Sequence, residues 1–180
     1  MEYARHAVQF FTAVFNDWQK LLTDDDYKQL VIDALKFRVS RGEVKVGAYV
    51  IMPNHIHLIW RIQNGFELET VQRDFLKFTA KALVEKIKTE KGGAALELLY
   101  VGLKDRKYQV WKRNSMSIDL ITEEFFKQKL EYVHNNPCQP RWNLAQHPTE
   151  YRYSSASCYD GLGDEFGLVI HMEELRCINS

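Results

Sequence analysis

Apolar residues along this chain recur at two spacings, one typical of strands and one typical of helices. Apolar runs rich in β-branched and aromatic residues predict strands over 8–15, 44–52, 55–62 and 107–111. Apolar residues at intervals of three and four predict helices over about 24–41, 68–91 and 122–136. The predicted order is therefore β-α-β-β-α-β followed by one further helix.

Residues that start or stop helices lie at the ends of these segments. Thr23 or Asp24 can cap the first helix and Thr122 the third. Gly42 ends the first, and Pro137 terminates the third. On the second helix the predicted apolar side consists of Val71, Phe75, Phe78, Leu83 and Ile87.

The order of elements fits a ferredoxin-like α+β fold, an antiparallel sheet with two helices on one face. Pro53 and Asn54 predict a turn that makes the second and third strands a hairpin. Residues 94–102 fit neither spacing, and 112–117 are predicted to form a polar turn. We expect one domain over 1–180, with a core at about 8–137. An aromatic, turn-rich extension follows at about 138–180 and ends in a short helix over 172–178.

Composition favours a compact protein of the cytoplasm. The chain has 180 residues, of which 46% are hydrophobic, and charged residues interrupt its apolar N-terminal positions. No segment has the composition of a membrane span. Cys138, Cys158 and Cys177 are widely spaced without a CxxC pair, which argues against a disulfide framework and a cysteine-based zinc site.

The charge distribution gives weaker guidance. Twenty-four basic residues balance 24 acidic ones, which argues weakly against a partner bound by bulk electrostatics. A local basic cluster remains between Lys104 and Arg113, opposed only by Asp105. A basic patch on a neutral protein and an ordinary solvated surface both fit this pattern.

His55 and His57 form the most unusual pair. Because side chains alternate along a strand, both imidazoles lie on one face, and Ile56 and Leu58 lie on the other. Two neutral imidazoles can hold a divalent metal and leave coordination positions open. Two histidines on a half-exposed strand are the alternative, which the spacing alone favours.

Tyr132 and Asn136 form a second pair, four residues apart on the third helix and therefore on one side of it. A phenol can attack phosphorus, and an amide oxygen is a hard ligand for Mg²⁺ or Mn²⁺. The alternative is a tyrosine packed on the sheet and an asparagine that caps the helix. Pro137 biases Asn136 away from helical geometry.

Two runs of the sequence resemble the REP-associated tyrosine transposases and occur in the same order. They are YVIMPNHIHLI at 49–59 and FFKQKLEYVHNNP at 125–137. These are relatives of the single-tyrosine HUH transposases, which act on single-stranded DNA. Residues 73–79 and 148–155 also resemble the family, so the similarity covers nearly the whole chain. The chain departs from the family pattern at Val133 and Cys138 and lacks a glycine after Pro137.

The resemblance implies a transposase that cuts and rejoins single-stranded DNA carrying imperfect hairpins. It implies that His55, His57 and Asn136 bind Mg²⁺ or Mn²⁺. Tyr132, on the helix after the sheet, would be the nucleophile and would form a 5′-phosphotyrosine. The base that deprotonates it is not identified, and His134 lies about 200° around the helix from it.

Basic residues that could contact DNA phosphates are Arg73, Lys77, Lys107, Lys112, Arg113 and Arg152. Each of them alone also fits a solvated surface charge. A module of the same fold that binds DNA hairpins or RNA without cutting is the main alternative to an enzyme. A phosphoesterase that uses water is a third reading. The sequence leaves a monomer and a homodimer equally open.

Overall fold

The computed structural model describes residues 7–176. The strands are β1 (Gln9–Val14), β2 (Val44–Met52), β3 (His55–Ile62), β4 (Tyr100–Leu103), β5 (Arg106–Tyr108) and β6 (Met116–Asp119). The helices are α1 (Asp25–Ser40), α2 (Leu68–Lys91), α3 (Glu123–Asn135), α4 (Ala156–Tyr159) and α5 (Met172–Arg176). Short 3-10 turns lie at Asn16–Trp18, Gly93–Leu99, Asn136–Cys138 and Pro148–Glu150.

Four strands form the main sheet in the order β2-β3-β1-β6, and every neighbouring pair is antiparallel. This is the ferredoxin-like arrangement that the sequence predicts. In the pairing of β1 with β3, Val14 lies opposite His55 and Thr12 opposite His57. The same face of β3 therefore carries both histidines.

The sheet separates two apolar cores. On one face, Leu58 and Trp60 pack with Leu35 of α1 and Phe75 of α2. On the other face, α3 contributes Phe126 and Val133 to a cluster with Phe10, Val50 and Ile59. The two helices of the ferredoxin-like unit thus cover one face, as predicted, and the additional helix covers the other.

The predicted fourth strand is wrong. Residues 106–108 form β5, which pairs only with β4 in a separate two-stranded sheet. The fourth strand of the main sheet is β6, which lies in and beyond the predicted polar turn at 112–117. Its residues are mostly exposed, so they show no apolar alternation, and β6 is fixed by pairing with β1. Ser117 also donates a hydrogen bond to Gln9 across the pair (2.5 Å).

Helix α2 has the predicted bounds, but one residue of its predicted apolar side is wrong. Phe78 is 51% exposed and stacks on Phe37 of α1 at 6.4 Å between ring centroids. Thr79 is buried in its place, donates a hydrogen bond to the carbonyl of Phe75 (3.0 Å) and accepts one from Trp111 Nε1 (3.0 Å). A polar residue is accepted in this core because its hydroxyl is fully hydrogen-bonded.

The predicted helix caps agree with the structure in part. Thr122 caps α3 by accepting a hydrogen bond from the amide of Phe125 (3.1 Å). At α1 the N-cap is Asp24, whose side chain makes no cap hydrogen bond, and Thr23 instead bonds to the carbonyl of Lys20 (2.9 Å).

The C-terminal extension returns to the outer strand of the sheet. The amide of Ile51 donates to the carbonyl of Tyr153 (2.9 Å), and the amide of Ile170 donates to the carbonyl of Val46 (2.9 Å). Helix α5 ends at Arg176, and the remainder of the predicted helix to 178 lies outside the described residues, as does Cys177. Between residues 7 and 176, no helix combines the length and apolar character that a membrane span requires.

The contrast between Phe75 and Phe78 gives a stability prediction. Phe75→Ala should lower the free energy of unfolding by about 3–5 kcal/mol, because it leaves a cavity between α2 and the sheet. Phe78→Ala on the same helix should cost about 1 kcal/mol or less, since it removes only a surface ring contact. Urea unfolding followed by circular dichroism measures both values, and equal losses would contradict the assignment of the helix face.

Candidate active site

Both histidines of β3 lie on the sheet face that α3 covers. They are 5% and 4% exposed, so the alternative of a half-exposed strand is wrong. Their rings lie 4.7 Å apart between centroids. Ile56 and Leu58, which alternate with them, lie in the opposite core as predicted.

Hydrogen bonds fix which nitrogen of each ring faces the site. His55 Nδ1 lies 2.6 Å from Asn54 Oδ1, which only accepts, so this nitrogen carries the proton and Nε2 carries a lone pair. His57 Nδ1 is held by the hydroxyl of Thr12 at 2.8 Å, whereas its buried Nε2 has no hydrogen-bond partner. When an imidazole binds a metal through one ring nitrogen, its other ring nitrogen typically makes a hydrogen bond such as these.

Asn136 completes the cluster. It directly follows α3 and keeps helical backbone angles, φ −56° and ψ −45°, although Pro137 comes next. Its side chain is fully buried, with Oδ1 at 3.3 Å from His55 Nε2 and with Nδ2 unpartnered. Two lone-pair atoms that face each other are stabilised by a cation between them, and a buried polar atom without a partner is costly.

The lone pairs of His55 Nε2, His57 Nε2 and Asn136 Oδ1 therefore fit a divalent metal. Within the described part of the chain, no group of three or more His, Cys, Asp or Glu side chains could hold a metal. The protein ligand on offer beside the two histidines is therefore the amide oxygen of Asn136. The ligand roles themselves stay predictions.

Burial also sets the protonation of the imidazoles. Loss of hydration lowers the pKa of His55 to about 4, and the Asn136 amide oxygen, which could accept a hydrogen bond from the protonated ring, opposes this by a smaller amount. The pKa of His57 is lowered well below its ordinary value by burial and by repulsion from His55, Lys129 and Arg141. Both rings are neutral at neutral pH and keep the lone pairs that a metal requires.

Tyr132 lies on the side of α3 that faces the histidines. Its ring centroid is 5.1 Å from that of His57 and 6.0 Å from that of Phe10. It is 39% exposed, so the ring rests against the buried cluster while the residue remains accessible to a substrate. Tyr132 and Asn136 thus project from one side of the same helix, as their spacing predicts.

Sequence reasoning missed two residues of this site. The ammonium of Lys129 lies 5.7 Å from the Tyr132 ring centroid and 4.9 Å from that of Phe10. It occurs three residues before Tyr132, a helical spacing that could have found it. Trp142 packs on His55 with centroids 5.6 Å apart. It comes from the turn-rich extension, where no periodicity indicates its position.

His134 faces away from the site, in agreement with its helical position. Its Nε2 bonds to the hydroxyl of Ser155 (2.9 Å), and its ring packs on Tyr159. Burial lowers its pKa to about 4. It therefore does not serve as a base for Tyr132.

The predicted DNA contacts lie in three places. Four of them line one groove between α2 and residues 105–115, together with Arg106, Tyr108 and Trp111. We call this cleft of about 590 Å³ the basic groove; its predicted contacts are Arg73, Lys77, Lys112 and Arg113. Lys107 lies on β5 with its ammonium over the neighbouring Tyr108 ring (5.4 Å).

Arg152 does not belong to this groove. Its guanidinium pairs with Glu165 (2.6 Å) and with Asp25 (3.3 Å). It lines a separate cleft with Tyr49 and Asp164. Its charge is matched by carboxylates, which makes it the weakest of the six predicted DNA contacts.

Comparison with known proteins gives a likeness of fold. No protein-family model and no curated protein matches the sequence. The structure superposes on a REP-associated tyrosine transposase bound to a REP hairpin with a TM-score of 0.63 and 19% identity. That match covers 100% of this chain and 97% of the other. The chain therefore has the fold of that transposase.

A second solved structure, a Deinococcus radiodurans R1 protein described as a transposase, superposes less well. Its TM-score is 0.49 at 14% identity, over 75% of this chain and 94% of the other. At that score it adds nothing to the assignment of the fold.

The buried histidines predict how stability depends on pH. The pKa of His55 and of His134 falls from 6.5 to about 4 in the native protein, so between these values the unfolded chain binds more protons. In EDTA the free energy of unfolding should therefore fall as pH drops from 6.5 toward 5, by up to about 1.4 kcal/mol per pH unit for each such histidine.

Urea unfolding across this pH range measures the slope. His134→Gln, which can keep the hydrogen bond to Ser155, should reduce the slope because one proton fewer is taken up. A free energy of unfolding that stays constant from pH 7 to pH 5 would contradict neutral burial of these rings.

Proposed function

We propose that this protein is a metal-dependent endonuclease and strand transferase for single-stranded DNA, a transposase of the REP-associated tyrosine type. The observation that carries the proposal is the convergence on one sheet face of His55, His57, Asn136 and Tyr132. Three of these residues offer unsatisfied or mutually facing polar atoms, and the fourth offers a nucleophile. The sequence resemblance and the shared fold support the same assignment.

Each ligand residue would contribute one atom to the bound metal. These are Nε2 of His55, Nε2 of His57 and the amide oxygen of Asn136. When bound, Mg²⁺ or Mn²⁺ would polarise the scissile phosphate and offset the negative charge that develops on its oxygens. Thr12 and Asn54 hold the imidazoles in the required orientation from the opposite ring nitrogens.

Tyr132 supplies the nucleophile in the proposed reaction. Its hydroxyl oxygen attacks the phosphorus, and the bond from phosphorus to the 3′-oxygen breaks as the new bond forms. The phenolic proton passes to solvent, and the departing 3′-oxygen takes up a proton. The ammonium of Lys129, beside the Tyr132 ring, adds a positive charge where the phosphate would approach.

The covalent product explains why no external energy source is needed. One phosphodiester is exchanged for one phosphotyrosine ester, so a 3′-hydroxyl from another end can later attack it and restore a phosphodiester. Strand joining therefore follows from the reverse of cleavage. This reversibility separates the proposal from a phosphoesterase that uses water.

The proposed substrate is DNA with unpaired segments next to a hairpin. The transposase of similar fold was solved with a REP hairpin. In this chain, whose net charge is zero, five cationic side chains line the basic groove beside Glu69 and Asp105. Two of the five pair with carboxylates, Arg73 with Asp74 and Arg106 with Asp105. Phosphate contacts of this kind give affinity that depends on salt and position the strand without reading its sequence.

Replacement of Tyr132 tests the nucleophile. Tyr132→Phe should lower cleavage by about a thousandfold or more and abolish the covalent adduct, because only the attacking oxygen is lost. Hairpin binding should remain, since the ring still packs on His57. Incubation with Mn²⁺ and single-stranded DNA from the flanks of its own gene, followed by a denaturing gel, measures both cleavage and adduct.

Tyr151→Phe is the matched control. Its hydroxyl donates to the carbonyl of Ile51 (2.8 Å), so its loss should affect stability slightly and leave the adduct intact. Cleavage without an adduct by the wild type would indicate water as the nucleophile. DNA binding with neither product would indicate the non-catalytic alternative.

Replacement of Asn136 tests the third ligand. Asn136→Ala should raise the Mn²⁺ concentration needed for half-maximal cleavage by about tenfold or more, and saturating Mn²⁺ should recover part of the rate. Asn135→Ala is the matched control, because that amide is exposed and bonds only to its own helix, at Glu131 (3.0 Å). Superimposable metal titrations for wild type and Asn136→Ala would reject the ligand role.

A further inference from the structure

A short turn lies between the basic groove and the active site. It comprises Asn16–Trp18 and is separated by Phe15 from β1, the strand that pairs with His55 and His57. Trp18 is 58% exposed, whereas the two aromatic residues of β1 are buried. A tryptophan held this far out of the core leaves a large apolar ring available to another molecule.

The backbone of this turn is strained. Asp17 has φ 50° and Trp18 has φ 56°, and two successive side-chain-bearing residues in the left-handed region are unfavourable. Glycine or asparagine would normally occupy such positions. Strain of this kind persists where neighbouring structure enforces it, and it concentrates at functional sites.

Three backbone hydrogen bonds enforce the turn. Phe15 donates to the carbonyl of Asn54 (2.9 Å), and Leu22 donates to that of Pro53 (2.9 Å), so both ends are fixed to the hairpin that carries His55. Asn16 donates to the carbonyl of Val110 (2.7 Å), which lines the basic groove. Trp18 is consequently held in a fixed position relative to both.

Side-chain contacts continue in both directions from the turn. Toward the groove, the ammonium of Lys112 lies 4.1 Å from the Trp18 ring centroid. Toward the active site, the ammonium of Lys20 lies 5.7 Å from the ring of Trp142, which packs on His55. Segment 18–20 therefore connects the groove with His55 through alternating cationic and aromatic side chains.

We propose that Trp18 is a stacking platform for one unpaired DNA base, between the strand held in the basic groove and the phosphate cut at Tyr132. The proposal rests on the proposed function. An exposed indole stacks any base, and the ammonium of Lys112 over its ring matches a backbone phosphate. Alternation of rings and cations fits the alternation of bases and phosphates in a single strand, and a purely apolar partner would leave the cations unmatched.

Binding measured with variants and abasic DNA tests the platform. The probe is a fluorescein-labelled DNA hairpin with mixed-sequence unpaired flanks, titrated in EDTA by fluorescence anisotropy. Trp18→Ala should bind about tenfold more weakly than wild type, and Trp18→Phe should recover most of the affinity. Phe37→Ala, which removes a half-exposed ring on α1 outside the proposed DNA track, is the matched control and should bind like wild type.

Abasic substitution then identifies the stacked base. One abasic position in the flank should weaken binding by wild type about tenfold but have little effect on Trp18→Ala, because the two changes remove the same contact. Trp18→Gly is the control that separates loss of the contact from misfolding. It should unfold at a urea concentration equal to or above that of wild type, since glycine accepts φ 56° without strain, yet bind the probe as weakly as Trp18→Ala.

The outcomes separate this inference from the proposed function. Equal affinity of wild type and Trp18→Ala, or the same abasic profile for both, would overturn the platform, while adduct formation by wild type would keep the transposase assignment. Tighter binding of a matched RNA hairpin than of the DNA probe would overturn it in favour of an RNA partner. Failure of wild type to bind the probe would also overturn it, and the adduct assay would then judge the chemistry separately.

Discussion

The register between β1 and β3 is the constraint on which the rest of the structure depends. Thr12 lies opposite His57 and Val14 opposite His55, so the strand pairing itself places a hydroxyl against one imidazole. Because side chains alternate, a slip of one residue would move both histidines into the core under α1 and α2. It would also place Ile56 and Leu58 against α3. The apolar fit of the two cores therefore selects the geometry of the polar site.

Helix α3 makes the positions of Tyr132 and Asn136 depend on each other. Tyr132 and Asn136 come from one helical side, and the amide of Asn136 is buried because α3 packs through Phe126 and Val133 onto the sheet. A shift of the helix would move the proposed nucleophile and the amide oxygen together. Placement of the attacking group and completion of the proposed metal site are thus one structural event. A site with Tyr132 in place but without the Asn136 amide is therefore disfavoured.

The sequence predicted the parts that local chemistry controls. The hairpin of β2 and β3, the bounds of α2 and the capped start of α3 depend on turn, glycine and cap residues that lie within each segment. The shared face of His55 and His57 follows from strand alternation alone. Each of these features is set by neighbours in the chain, so a single sequence contains the information.

Features set by distant contacts escaped prediction. Strand β6 is exposed and recognisable only through its pairing with β1, and Trp142 reaches His55 from the extension. Thr79 replaces Phe78 in the core because Trp111, far along the chain, bonds to its hydroxyl. The basic groove likewise forms from two segments that each resemble an ordinary charged surface. Four of its five cationic residues were predicted one by one as DNA contacts, but the shared surface of α2 with the 105–115 segment was not.

The return of the C-terminal extension has a consequence for how the sheet behaves toward other chains. Residues near Ser154 and Val169 bridge to β2 and occupy main-chain groups that an outer strand would otherwise leave open. Within residues 7–176, β6 at the opposite side of the main sheet has neither a strand nor such bridges beyond it. That strand has four residues, which is a poor template for a foreign strand. The extension therefore also protects the fold from edge-to-edge aggregation.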